Sequence, residues 1–212
     1  MTELDHITVI APDIATGVAW VRDVLGVDPP KGGAHPEMGT HNHLLRLGDD
    51  VFLEVIAVDP EASRPKHRRW FGLDDQETVE QHWHAGRRLR AYVARCDDVA
   101  ATIGGRKDTF GAPMRLSRGE LHWTFGVRAD GALPLAGALP HLMDWGARGT
   151  PALAMTDFGL RLHELLVETP DPDAVHEALD AVGMIRKPKI RQGSTVRLFA
   201  TIETPRGVRT LS

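Results

Sequence analysis

Two runs of strand type bracket the first sixty residues, 4–10 (Leu-Asp-His-Ile-Thr-Val-Ile) and 51–58 (Val-Phe-Leu-Glu-Val-Ile-Ala-Val). With side chains alternating at period two, Leu4, His6 and Thr8 share one face and Ile7 and Val9 the other, while Phe52, Glu54 and Ile56 share a face of the second run. Between the runs the period changes. Ile14, Val18, Val21 and Leu25 make one apolar stripe of a helix that Asp13 is placed to cap and Gly26 to stop. Segments 42–47 and 51–58, joined by Gly48-Asp49-Asp50, read as a hairpin.

The same phrase recurs along the chain. Strand, Pro-Asp, helix and glycine return at 162–171, with Val175, Leu179 and Val182 as the stripe and Gly183 as the stop. A looser copy runs from the strand 91–94 through Arg95-Cys96-Asp97-Asp98 to a short helix at 99–103 and Gly104-Gly105. The middle copy continues in strands 120–127 and 139–145 around a Gly-, Pro- and Ala-rich loop, and the last in strands 196–203 and 208–211. The unit is βαβββ and the fold class α+β. The chain divides into a first module at 1–60, a connector at 61–88, a second module at 89–146 and a third, C-terminal module at 158–212. In the connector, Asp74-Asp75-Gln76-Glu77 opens a short helix running to about His84.

Composition narrows the functional field. A chain of 212 residues, 42% hydrophobic and 25% charged, is an ordinary globular protein with length enough for a core. A formal charge of −4 and few aromatics argue against a nucleic-acid partner, although 66–69 and 87–90 are local basic clusters. The single cysteine, Cys96, excludes an internal disulfide or a thiolate cluster and fits a reducing compartment. No signal peptide or membrane-spanning run is visible, so a cytoplasmic location is expected. Neither a dinucleotide or phosphate glycine loop nor a Gly-x-Ser-x-Gly elbow occurs, which leaves a small-molecule pocket as the expectation.

Glu54 carries the chemistry most visibly, because a carboxylate inside Phe-Leu-Glu-Val-Ile is costly unless it meets a cation, a donor or water. A salt bridge to Arg90 or Arg46 would satisfy it, and His6 would equally serve as an imidazole bonded to the sheet. Imidazole and carboxylate together are also a common start to a divalent-metal site.

The opening Leu4-Asp5-His6, the stretch 32–42 (Gly-Gly-Ala-His-Pro-Glu-Met-Gly-Thr-His-Asn), Phe52-Leu53-Glu54-Val55-Ile56-Ala57-Val58 and the segment 139–146 (Leu-Pro-His-Leu-Met-Asp-Trp-Gly) resemble the glyoxalase-like proteins of the vicinal oxygen chelate superfamily. The resemblance spans most of residues 3 to 155, with 160–211 as a further half-domain of the same style. It implies repeated βαβββ modules forming a curved, partly closed mixed sheet around a concave pocket, with helices on the convex side. It also implies a metal held by the first and last strands of a module, where His6 and Glu54 fall. Matching the second module to the first puts Arg90 opposite His6, so a second imidazole is missing there, and Asp144 or His141 stands where a further ligand is sought.

Three readings of the pocket follow from the resemblance. In the first, Asp144, His141, His41 or His43 completes a shell with His6 and Glu54. A divalent Fe, Mn, Ni or Zn then serves a lyase, an isomerase or a ring-cleaving dioxygenase acting on a small oxygenated compound. In the second, Arg90 pairs with Glu54 or clamps an anionic group of the ligand, Glu54 and Arg90 being the catalytic candidates. In the third, a metal-free protein sequesters an apolar ligand among Trp123, Trp145 and Phe125. His35, on a loop near the cavity mouth, Asn42, Trp123 and His141 are the ligand-binding candidates. His122 and Trp123 point to opposite faces, so one of them at most enters the concavity. A homodimer through exposed edge strands is the expected assembly.

Overall fold

Alternation along the first run becomes strand β1 (Glu3–Ile10), and the 3.6-residue stripe after it becomes helix α1 (Ile14–Leu25). Asp13 caps that helix through Thr16 N at 2.9 Å, and Gly26 ends it in the left-handed conformation. In the computed structural model, which describes residues 1–212, β2 (Lys31–His35), β3 (Thr40–Arg46) and β4 (Phe52–Val58) follow. The connector forms a tight turn at Trp70–Gly72 and helix α2 (Gln76–His84), capped by Asp75.

The second half runs through β5 (Leu89–Arg95), α3 (Val99–Ile103), α4 (Lys107–Phe110), β6 (Ala112–Arg118), β7 (Leu121–Val127) and β8 (His141–Asp144). The last elements are β9 (Arg161–Thr169), α5 (Pro172–Ala181), β10 (Lys189–Gln192), β11 (Arg197–Thr204) and β12 (Gly207–Leu211). No helix is long and apolar enough to cross a membrane.

Eight strands form one curved, partly closed sheet in the order β2-β3-β4-β1-β5-β8-β7-β6, and four form a second, β10-β9-β11-β12. The eight-stranded order is a pseudo-twofold pattern. β1 pairs parallel with β4, β5 pairs parallel with β8, and the two first strands meet antiparallel at the seam. The far edges approach each other through Glu37, whose Oε1 accepts from Ser117 N at 3.2 Å and Ser117 Oγ at 3.0 Å.

Each face of the large sheet has its own core. On the convex side Ile7, Val9, Leu53, Val55, Tyr92 and Ala94 pack against Val21 and Leu25 of α1 and against Val167 and Leu198 of the second sheet. The approach of α1 to the sheet is close. A Cβ at Gly17 would lie 2.6 Å from Val55 Cγ1. On the concave side Ile56, Val93, Phe125 and Met143 are covered by Trp70, Phe71, Leu73 and Val79, so the connector fills the concavity rather than passing outside it.

The seam contains two irregularities that cancel. Leu4 pairs with Ala94 but His6 with Val93, leaving Asp5 as an extra residue on β1; Thr8 pairs with Ala91 but Val9 with Leu89, leaving Arg90 as an extra residue on β5. Both are β-bulges, which re-aim the side chain they carry. Three strands, β2, β6 and β10, are absent from the sequence reading. Gly32-Gly33 in the first, Arg115, Ser117 and Arg118 in the second and Lys189, Arg191 and Gln192 in the third hide them from a hydrophobic pattern.

Candidate functional site

Register brings the two leading residues together. His6 lies opposite Phe52 and Thr8 opposite Glu54 on neighbouring parallel strands, so all four face the concavity. His6 Nε2 is 3.5 Å from Glu54 Oε2, and its ring stacks on Phe52 with centroids 4.5 Å apart. The other ring nitrogen, Nδ1, is 2.7 Å from Asp5 Oδ1. Strict alternation would turn Asp5 to the convex face, and the bulge at Asp5 is what lets its carboxylate reach the imidazole.

These contacts belong to a longer buried relay. Trp145 Nε1 donates to Asp5 Oδ2 at 2.9 Å, and Asn42 Nδ2 donates to Glu54 Oε1 at 2.7 Å. Asn42 Nδ2 also lies 3.4 Å from His35 Nε2, His35 Nδ1 lies 3.1 Å from Thr40 Oγ1, and Trp70 Nε1 donates to that hydroxyl at 3.3 Å. A neutral His35 with its proton on Nδ1 and a charged His6 satisfy every link.

The electrostatics agree with that assignment. Burial opposes charge on His6, but hydrogen bonds to Asp5 and Glu54 overcome it and raise the pKa to about 9. Burial likewise works against the Glu54 carboxylate, yet His6 and Asn42 hold it below the usual range. His35 has no such carboxylate in contact, and burial pushes it down to about 4. The two histidines thus take opposite protonation states in one cavity.

The cavity itself is about 40 Å³, lined by His6, His35, Asn42, Glu54, Arg118 and Trp123 among others. That is room for little more than one water molecule. Trp70, Phe71, Phe125 and Trp145 complete an aromatic wall. Phe71 holds φ 58° inside its tight turn and is 1% exposed. A phenylalanine there is strained backbone kept in place by packing. Arg118 Nη1 is buried without a hydrogen-bond partner.

Glycines make space for two of these side chains. A Cβ at Gly32 would sit 2.3 Å from Asn42 Oδ1, and one at Gly33 would sit 2.9 Å from Arg118 Nη1. Gly33 N also donates to Asn42 Oδ1 at 3.0 Å, fixing the amide so that its nitrogen faces Glu54. The Gly-Gly pair therefore serves a side-chain cradle, and His35 beside it is a buried residue of β2, not a loop residue at a mouth.

Other sequence candidates are dispersed. Arg90 makes no ion pair with Glu54; as the extra residue of the β5 bulge it lines a different cavity, with Arg87 and Asp75. Asp144 alternates to the side opposite Met143, lines an outer groove with Ser117 and His122, and accepts from Gly146 N at 2.6 Å. His141 is on the concave face but lies under Phe71, with ring centroids 4.8 Å apart, and is not part of the cavity wall. His43 Nδ1 is 2.7 Å from the Pro29 carbonyl. Trp123 does reach the cavity, and His122 is exposed on the other face.

A divalent cation needs at least a third protein donor beside His6 and Glu54. No group of three histidine, cysteine, aspartate or glutamate side chains converges there, and His6 Nδ1 is taken by Asp5 and Glu54 Oε1 by Asn42, which leaves only His6 Nε2 and Glu54 Oε2, 3.5 Å apart. The residues as arranged do not fit a metal, so no chemical step is routed through one. Asp5, Arg118, Trp70 and Phe71 are site residues that sequence reasoning missed. The Leu-Asp-His tripeptide is the only signal that pointed near any of them.

A family model described as a glyoxalase-like domain matches residues 4–183. No curated protein matches the chain. Among solved structures, a hypothetical protein from Staphylococcus aureus aligns over 100% of this chain and 99% of its own, with a TM-score of 0.63 at 10% identity, and so shares the fold. Methylmalonyl-CoA epimerase from Mycobacterium tuberculosis aligns over 71% of this chain and 90% of its own, at a TM-score of 0.40 and 18% identity. Glyoxalase I from Zea mays aligns over 100% and 92%, at a TM-score of 0.25 and 12% identity.

Proposed function

This chain belongs to the glyoxalase-like domain family, and from that premise we propose that it is an enzyme moving a proton on a small, anionic, oxygenated compound in the His6–Glu54 cavity. The carrying observation is that Glu54 Oε2 has no partner closer than His6 Nε2 at 3.5 Å, while the rest of the pair is fixed by Asp5 and Asn42. Glu54 Oε2 is the proton acceptor. His6, held cationic by two carboxylates, donates a hydrogen bond to the oxygen on which negative charge develops.

Arg118 takes the anionic group of the substrate, since its buried Nη1 has no protein partner and a guanidinium suits a carboxylate or phosphate. Trp123 and Trp145 flank the site. A cavity of about 40 Å³ admits a substrate only when a side chain of the wall swings out, and relief of the strained turn at Phe71 would favour moving that side chain out of its packing. This reading favours isomerase or lyase chemistry by proton transfer. The metal-dependent lyase, isomerase or dioxygenase of the sequence reading would require a third ligand to move in.

A panel of small 2-oxo and 2-hydroxy acids incubated with the protein in D2O, followed by proton NMR, tests the proposal. Catalysed exchange of the hydrogen beside the carbonyl should fall at least 100-fold in Glu54→Gln, while Arg118→Gln should raise KM with a smaller change in kcat. Exchange that survives Glu54→Gln would sink the assignment. Saturable quenching of tryptophan fluorescence without exchange would instead favour sequestration, which the aromatic wall also suits.

A further inference from the structure

A second cavity, about 660 Å³, lies where α2, the start of β5, the loop at 130–136 and β11 meet. Its lining has five arginines against three aspartates. The aspartates are already committed. Asp74 is held by Arg69 Nη1 at 2.6 Å, Asp130 by Arg128 Nη2 at 2.7 Å, and Asp75 caps α2 through Thr78 N at 3.0 Å and Thr78 Oγ1 at 2.7 Å.

Three of the arginines have no carboxylate within ion-pair distance: Arg87 from the turn after α2, Arg90 from the β5 bulge and Arg197 from β11. Arg90 Nη1, Arg197 Nε and His82 Nδ1 are moreover buried with no hydrogen-bond partner. Neighbouring Arg88 shows the contrast, because its guanidinium lies against both Trp20 and Trp83, 5.0 and 4.9 Å from their ring centroids. Arg197 has one such contact, with Phe199 at 5.0 Å, and Arg90 has none.

Leaving a guanidinium half-buried and unpaired is unfavourable, and placing three of them on the lining of one cavity compounds the cost. Burial, and after it mutual repulsion, lowers the pKa values of the cluster. Burial and the charge of Arg87 bring Arg90 down to about 10, while burial, Arg90 and Arg87 bring His82 down to about 4. One multiply charged oxyanion would satisfy all of them together.

We propose that this cavity is a second ligand site, separate from the His6–Glu54 cavity, that binds the phosphate group of a small organic phosphate. A tetrahedral dianion offers oxygens to three guanidinium groups arriving from three elements, whereas a planar carboxylate is saturated by one or two. The volume falls within the range of small-molecule pockets, so an organic moiety fits beside the phosphate.

Calorimetric titration of the full chain with inorganic phosphate, pyrophosphate and citrate, in chloride buffer at constant ionic strength, tests it. Saturable binding of phosphate at one site is expected, tighter for pyrophosphate. Arg90→Gln and Arg197→Gln should each weaken it at least tenfold and Arg118→Gln should leave it unchanged. Arg90→Gln should melt no lower than the unsubstituted protein without ligand, because it removes an unpaired charge; should it fail to fold, Arg87→Gln takes its place in the same titration. No saturable binding of phosphate or pyrophosphate, binding of citrate alone, or phosphate binding that persists in the Arg90 and Arg197 variants but is lost in Arg118→Gln would each overturn the proposal.

Discussion

At the scale of the residue, His6 is defined by what stands on either side of it. Asp5 and Glu54 share one imidazolium, and removing one member of a buried ionic set costs about 3 to 5 kcal/mol because the others lose their compensation. Asp5→Asn should therefore lower the His6 pKa from about 9 toward the unperturbed range, read by NMR titration of the ring, and destabilise the protein by about 3 kcal/mol in urea unfolding. An unchanged His6 titration would show that Glu54 alone sustains the charge. Sequence reading identified His6 and Glu54 because a polar residue inside an alternating apolar run is conspicuous. It missed Asp5 because period two assigns neighbours to opposite faces, and a bulge is invisible in the pattern. Arg118 was missed for a different reason: on β6 it stands in a run too polar to read as a strand.

At the scale of the element, the repeated unit was the most legible feature. The helix from Asp13 to Gly26, the hairpin of β3 and β4 and the hairpin of β11 and β12 fall where periodicity and turn residues put them. The connector was legible only in its helix. Its other contribution, the placement of Trp70 and Phe71 in the concavity, depends on tertiary contacts that no local pattern encodes. Phe71→Ala should cost about 3 kcal/mol in denaturant unfolding, the usual price of a phenylalanine removed from a packed core. The same variant should admit small aromatic ligands to the enlarged cavity, detected as a saturable rise in melting temperature. No rise would mean that the space is refilled by Trp70.

At the scale of the whole molecule, opposed histidine shifts set the pH range of greatest stability. The raised pKa of His6 contributes stability that is complete below about 6.5 and is lost as pH rises toward 9. The lowered values of His35 and His141 contribute stability that is complete above about 6.5 and is lost as pH falls toward 4. Melting temperature measured across pH 4 to 9 should accordingly peak near 6.5; a maximum displaced to either end would contradict the relay's protonation pattern. The two bulges at the seam bear on the molecule as a whole. Because β1–β5 is the sole hydrogen-bonded strand pairing between the halves of the large sheet, the extra residue at Asp5 acts as a phase shift and the one at Arg90 as its reversal. Only the three rungs from His6 to Thr8 run out of phase. Loss of either extra residue alone would propagate the slip along the seam, whereas loss of both would restore an unbroken ladder at the expense of the two cavities they serve.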